Sequence, residues 1–410
     1  MPFTSLAQGN TWSTKESMQI PRFQHGACVV NGKIYAIGGT ITGNGFGSPG
    51  SATGEVYDPS TNTWSPIDSM PTPRESLSLS AVNGKIYAIG GDSFFGGPGE
   101  LSTVEEYDPA TDTWSPKTSM ASARTGLSSN VVNGKIYAIG GLKHSTGEAV
   151  DDVEEYDPIT DTWSPKAPMP TARAWFSSSV FDGKIYVFGG VNSASQLKSV
   201  QVYDPVTDTW DFKNDMPDIL SSMTACTAND FIYLFGGLII GIGTQSDVWK
   251  YNPISDTWAM VSQLPLAMAL SSPNSPQLDG EIYIIGGCFT WINGNPQPTS
   301  TVWGYTPPMT GLEDHSWNEH NPEEFGLHQN YPNPFNPSTN IGFRIADFGF
   351  VSLTIYNVTG EKVETLVSEN LAAGSYEYQW NARGLASGVY YYRLETDHGF
   401  MQTKKMLLIR

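Results

Sequence analysis

Residues 31–39 read NGKIYAIGG, and the same nine letters return at 83–91 and at 133–141. Looser copies follow as DGKIYVFGG at 182–190, NDFIYLFGG at 229–237 and DGEIYIIGG at 279–287. The Gly-Gly doublets begin at 38, 90, 140, 189, 236 and 286, so the steps between them are 52, 50, 49, 47 and 50 residues. A fixed period of this length predicts a propeller or a solenoid, in which each unit buries its apolar face only against its neighbours.

Each unit has the same internal order. An apolar stretch meets an Asn-Gly-like pair, an Ile-Tyr strand follows and ends in Gly-Gly, and a variable segment leads to a Tyr-Asp-Pro strand and a Thr-Trp strand. Asn31-Gly32, Asn83-Gly84, Asn133-Gly134 and Asp182-Gly183 suit two-residue hairpin turns, which need positive φ at both central residues. Proline after Tyr57-Asp58, Tyr107-Asp108 and Tyr156-Asp157 closes a strand, because it has no N–H to donate to a ladder. Four antiparallel strands per unit are expected.

These marks, with Trp64, Trp114, Trp163, Trp210 and Trp258, resemble kelch repeats over about three quarters of the chain. The resemblance implies an all-β, six-bladed β-propeller in which the glycines admit close strand packing and Tyr and Trp fill the gaps between blades. A further Thr11-Trp12 pair precedes the first doublet, whereas the sixth unit ends at Val302–Pro307 with no Thr-Trp strand after it. The N-terminal strand, about residues 10–19, is therefore expected to complete the last blade and leave no free sheet edge. The propeller then spans 9–307.

Composition sets the outer bounds. The 410 residues are 39% hydrophobic and 12% aromatic, enough for a packed core, and no apolar run reaches the roughly 18–20 residues of a membrane span. The net charge is −19, while residues 325–410 carry seven basic and seven acidic side chains. All of the excess charge lies before residue 325, which argues against a nucleic-acid partner. Cys28, Cys226 and Cys288 are too few and too scattered for a disulfide framework. Cys28 and Cys226 share one register, six residues before an Ile-Tyr pair, and read as buried free thiols. Residues 1–8 read as the remnant of a secretory leader or as an artificial start trimmed near its cleavage site.

Residues 308–324 are acidic and proline-containing and read as a linker. From 325 onward, alternating apolar and polar positions between Gly and Asn turns predict a small antiparallel sandwich of immunoglobulin-like type. Tyr331-Pro332-Asn333-Pro334-Phe335-Asn336-Pro337, Gly388-Val389-Tyr390 and the ending Lys404-Lys405-Met406-Leu407-Leu408 resemble the C-terminal sorting domain of the type IX secretion system of Bacteroidetes-like bacteria. That resemblance implies engagement of the secretion machinery through 325–410, passage through the periplasm, and release or attachment at the outer surface.

Four-stranded antiparallel blades place the 2–3 loops and the blade-to-blade connections on one face. The turns of the opposite face barely vary among the six copies, while the 2–3 loops all differ. Recognition is therefore expected on the varied face. Phe46, Phe94, Phe95, Phe289 and Trp291 lie in its loops and are candidates to stack on a sugar or bury a side chain. Arg22, Arg74, Arg124 and Arg173 each precede an Ile-Tyr pair by twelve residues, with Leu220 and Leu270 at the matching count in the last two units. They are candidates to fork onto ligand carboxylates around the mouth. Gln24, Ser76, Trp175 and Ser222 follow two positions later and are expected on the same rim.

Catalytic motifs are sparse. Copper radical chemistry needs Tyr, His and Cys ligand sets that His25 and His144 do not have beside them. No metal site or cofactor is expected, with Ca²⁺ open at the acidic loops. Asp92, Glu100, Glu148, Asp151 and Asp247 are the loop carboxylates available to a mutarotase- or epimerase-like enzyme, or to a lyase. The expected role is a secreted or surface binding module for a glycan or extracellular protein. A carbohydrate-active enzyme and a structural surface linker are the alternatives.

Overall fold

The computed structural model describes residues 11–42, 49–93, 99–292, 295–308, 325–327, 329–330, 333, 335–372, 374–397 and 399–409. They are all strands, turns and loops, in two compact units, Met1–Pro307 and Pro308–Arg410.

In the first unit the described residues form six consecutive antiparallel sheets with a four-stranded core each. The first runs Gly26–Val30, Lys33–Ile37, Gly54–Asp58 and Thr63–Ile67, each strand pairing with the next. Sheets two to five repeat that order, and the fifth is extended at the edge by a longer hairpin, Gly243–Asn252 with Thr257–Met268. The sixth takes its outer strand from the other end of the chain. Thr11–Thr14 pairs with Val302–Thr306 in register Trp12 to Tyr305, as the missing Thr-Trp copy implied.

Two aromatic devices join sheets to the ones before them, the first in all six sheets and the second in sheets one to five among the described residues. The tryptophan of each outer strand donates its indole N–H to the preceding sheet: Trp64 to the Glu16 carbonyl at 2.8 Å, Trp114 to Asp68 at 2.9 Å, Trp163 to Thr118 at 2.8 Å. Trp12 donates to Ser262 Oγ at 3.1 Å, so the series continues through the sixth sheet. The Tyr-Asp-Pro tyrosine bonds the Asp or Asn of the following turn, which also accepts a backbone N–H from the preceding sheet. Asp112, for instance, holds the Tyr107 hydroxyl at 2.7 Å and the Asp68 N–H at 2.8 Å. One side chain thereby satisfies two donors at the seam between the sheets.

The Gly-Gly doublets meet their steric expectation. Gly39 has φ +85°, and a Cβ there would sit 2.5 Å from the Phe23 carbonyl oxygen and 2.8 Å from His25 Cβ. Only glycine fits where the sheet end turns beneath the incoming connection.

The second unit holds two antiparallel sheets over one core. Gly326–Leu327, Ser338–Ile345 and Gly374–Asn381 form one; Lys362–Leu371, Gly349–Tyr356, Gly388–Thr396 and Met401–Leu408 form the other. Ile341, Phe343, Leu353, Tyr392 and Trp380 fill the space between them. Within the NYPNPFNP stretch, Phe335 is buried against Trp380, and Asn330 donates its N–H to the Tyr392 hydroxyl at 2.7 Å.

Candidate functional site

The inner strand of each sheet starts at the face that carries the 2–3 loops, and there the six sheets are linked in a closed circuit. Gln24, Ser76, Gly126, Trp175, Ser222 and Leu270 all have positive φ, between 47° and 61°. Each donates its backbone N–H to the carbonyl of the corresponding residue in the preceding sheet. Ser76 donates to Gln24 at 2.7 Å, Gly126 to Ser76 at 2.9 Å, Trp175 to Gly126 at 2.9 Å and Ser222 to Trp175 at 2.7 Å. Leu270 donates to Ser222 at 3.0 Å and Gln24 to Leu270 at 2.6 Å, which closes the circuit. A left-handed backbone is strained for Trp and Leu, and these six bonds offset the strain.

The circuit surrounds a shallow socket with room for about 30 Å³. Its walls include Leu77, Leu127, Phe176 and Met223, one residue below the rim in successive sheets. His25 takes that wall position in the first sheet. Trp175 leans across the side-chain-free Gly126, where a Cβ would lie 2.9 Å from the indole Nε1. Several buried polar atoms in this lining have no partner among the described residues: Gln24 Oε1, Ser76 Oγ, Trp175 Nε1 and both ring nitrogens of His25. Burial, with the Arg22 charge second, pushes His25 down to about 3, so its ring is neutral.

The arginines are elsewhere. Arg22, Arg74, Arg124 and Arg173 are fully buried and tie strands within their own sheets. Arg22 reaches the Gly38 and Thr53 carbonyls at 2.8 and 2.9 Å and Glu55 at 3.0 Å. Arg74 pairs with Glu105, and Arg124 bonds the Asp152 carbonyl at 2.9 Å and Glu154 at 3.0 Å. Arg173 holds the Gly189 and Ser199 carbonyls, and Gln201 stands at the register position where the first three sheets carry Glu55, Glu105 and Glu154. The expectation of a cationic mouth is therefore corrected: these guanidiniums are spent on carbonyls and glutamates inside the sheets. Leu220 and Met268 occupy the corresponding places in the fifth and sixth sheets, beside the indoles Trp249 and Trp303. Met268, not Leu270, is the true counterpart, because the sixth sheet carries two extra residues ahead of its Ile-Tyr pair. The Gly237 N–H bonds the Met268 carbonyl as the Gly39 N–H bonds that of Arg74.

Those two extra residues close the axis. Asn274 leaves its own sheet to donate to the Ser129 carbonyl at 2.9 Å, and it accepts from Ser128 and Ser178 at 3.3 and 3.4 Å. It forms part of the lining of a second cavity, of about 250 Å³, lined by Ser80, Ser129, Asn130, Ser179 and Thr227 and lying toward the opposite face. Cys28 and Cys226 line that cavity as buried free thiols.

Of the aromatic candidates, Phe46, Phe94 and Phe95 lie outside the described residues. Trp291 lies on the strand Cys288–Ile292, paired with Asn295–Pro298. Phe289 is half-buried against the core shared by sheets five and six. Among the aromatic and basic candidates whose side chains are described, Trp175 lines the socket.

Beside the rim, sequence reasoning named Asp92 but missed the carboxyl paired with it, Glu75. Glu75 and Asp92 are buried and bridged by two backbone bonds of 2.8 Å, at a place where the other sheets carry Phe23/Thr40, Thr125/Leu142 or Ala174/Val191. His144 Nε2 lies 2.8 Å from Asp92 Oδ2. Burial, with Asp92 second, pushes the Glu75 carboxyl up to about 8. Among the described residues no group of three or more His, Cys, Asp or Glu is placed to hold a metal ion.

A ring of kelch-type sheets with a blind socket at one face, followed by a separate two-sheet unit, defines a kelch propeller protein with a C-terminal appendage. The chain belongs to the Attractin/LZTR1 beta-propeller family, whose model matches residues 4–223; a kelch motif matches 220–265. Residues 329–409 match the secretion system C-terminal sorting domain, which addresses the protein to the cell surface or beyond it. Among the described residues no helix is long and apolar enough to cross a membrane. The chain is 38% identical over 86 residues to an F-box/kelch-repeat protein of Arabidopsis thaliana, covering 21% of this chain and 22% of that one. It is 38% identical over 80 residues to Kelch-like ECH-associated protein 1B of Danio rerio, covering 20% and 14%. The match thus spans about a fifth or less of either relative's length. The solved structure of YjhT shares the fold with a TM-score of 0.61 at 17% identity, over 73% of this chain and 98% of that one.

Proposed function

We propose that this protein is a secreted or surface-held binding module whose 2–3 loop face recognises an extracellular protein. In this reading each four-stranded sheet is one of six blades within 9–307, and 325–410 is an immunoglobulin-like sandwich that serves export. One observation carries it: four exposed apolar side chains gather at the mouth end of the fifth sheet. Ile219, Ile240, Ile242 and Leu266 are 44, 66, 77 and 45% exposed there. Ile159, Val206 and Ile254 on the opposite face are single residues, one per sheet, and scattered apolar residues of that kind are ordinary. A gathered apolar patch beside a polar socket suits a protein surface better than a flexible sugar chain. The reading uses no cofactor.

The test is a binding panel of displayed peptides and of glycans against the full chain. Peptide binders that lose at least tenfold in affinity with Ile240→Asp/Ile242→Asp support the reading. Saturable binding confined to glycans would replace the protein partner by a carbohydrate.

A second reading, a mutarotase- or epimerase-like enzyme, is favoured by the His144–Asp92 pair with Glu75 behind it, since a buried acid that orients a mostly buried imidazole with one edge still accessible suits proton transfer. Sugar anomer exchange faster than buffer alone, lost in His144→Ala, would favour it.

A further inference from the structure

The socket inside the rim has a chemistry of its own, and it selects for a particular kind of group. Among the described residues no charged side chain lines it, and the nearest arginines are buried in ion pairs or on carbonyls within the sheets. A charged ligand group would enter without a counter-ion and lose its hydration without compensation. What the lining offers instead is neutral and, among the described residues, unpartnered. Trp175 Nε1–H can only donate, Gln24 Oε1 can only accept, and Ser76 Oγ and the His25 ring can do either. A guest must therefore present an acceptor and a donor together. The walls just below, Leu77, Leu127, Phe176 and Met223, suit methylene groups. The room, about 30 Å³, corresponds to roughly two water molecules, which admits the tip of a side chain but not a pyranose ring.

We propose that the socket receives the terminal carboxamide of an asparagine or glutamine from a partner protein, its carbonyl accepting from Trp175 Nε1–H and its amide N–H donating to Gln24 Oε1. Ser76 and His25 complete the set from the sides, and the guest's methylene carbons lie on the apolar wall. The inference rests on the binding-module reading and adds the group that anchors the partner. It also accounts for Gly126, since the one rim position without a side chain is where the indole lies. The carboxamide is a planar unit that carries acceptor and donor at once, so two buried groups are satisfied by one rotamer of the guest.

The test uses the full chain labelled with ¹⁵N at its tryptophan indoles. The Trp175 signal is identified by its loss in Trp175→Phe. Three probes are titrated: the blocked peptides Ac-Gly-Gln-Gly-NH₂ and Ac-Gly-Glu-Gly-NH₂, and N-acetylglucosamine. The expected result is a saturable shift of the Trp175 signal with the glutamine peptide, at least tenfold weaker with the glutamate peptide. In Gln24→Leu the glutamine response should weaken at least fivefold. Equal response to both peptides, or none to either at the solubility limit, overturns the proposal. A shift with the sugar alone also overturns it, and makes the guest a glycan acetamido group. If the Trp175 signal stays still while displayed peptides still depend on Ile240 and Ile242, the module reading survives and only the socket's role falls.

Discussion

Replacing Arg124 by alanine tests whether the repeated arginines hold sheets together or greet a ligand. The side chain is fully buried, bonding the Asp152 carbonyl at 2.9 Å, the Ala138 carbonyl at 3.3 Å and Glu154 at 3.0 Å. Its removal leaves the buried Glu154 carboxylate without its cation and takes one donor each from the Asp152 and Ala138 carbonyls. Breaking a buried pair from one side costs about 3–5 kcal/mol. A unit of about 300 residues has an unfolding entropy of roughly 0.6 kcal/mol/K, so the expected fall in Tm is about 5–8 °C. Calorimetry on the full chain reads it. The double change Arg124→Leu/Glu154→Leu should recover most of the loss, because the fifth and sixth sheets already place Leu220 and Met268 beside indoles instead of an ion pair. An unmoved Tm in Arg124→Ala, with peptide binding abolished, would refute the structural assignment.

Arg173→Ala should cost less than Arg124→Ala, by about 2 kcal/mol, because Gln201 and not a carboxylate is left behind; matched urea titrations compare the two. For Glu75, burial and then Asp92 raise the folded carboxyl from 4.5 to about 8, so the folded state holds a proton that the unfolded state releases. Its contribution to stability is complete below about 4.5 and is lost as pH rises toward 8. Glu75→Gln should therefore flatten stability between pH 5 and pH 8 and exceed the parent at pH 9, as thermal melts across pH would read. Asn274→Ala deletes the cross-axis bonds to Ser128, Ser129 and Ser178 and should cost about 1–2 kcal/mol by chemical denaturation.

The repeated phrase made the fold legible because its physics is local. Asn-Gly turns, the Gly-Gly approach and the proline stop each act within a few residues, and the missing Thr-Trp copy announced the pairing of Thr11–Thr14 with Val302–Thr306. The mouth was harder, since it depends on which way a side chain turns. Arginine at a rim-like spacing looks like a ligand group until its partner is considered. That partner was visible: arginine accompanies Glu55, Glu105 or Glu154 two residues before the Tyr-Asp-Pro tyrosine, and Leu220 and Met268 accompany Trp249 and Trp303. A correlated exchange of ion pair for apolar pair marks an internal contact. His25 stood out as a polar residue in the register of Leu77, Leu127, Phe176 and Met223. Counting a constant twelve residues misplaced Leu270, because the two extra residues around Asn274 shift the register of the last unit.

The most direct measurement compares the two faces with matched changes. Displayed peptides selected on the full chain are re-measured against Ile240→Asp/Ile242→Asp at the mouth end and Ile159→Asp/Val206→Asp on the opposite face. All four side chains are exposed, so neither change should unfold the chain. The account predicts at least a tenfold loss for the first pair and no change for the second. A loss confined to the second pair would contradict it and move recognition to the uniform face.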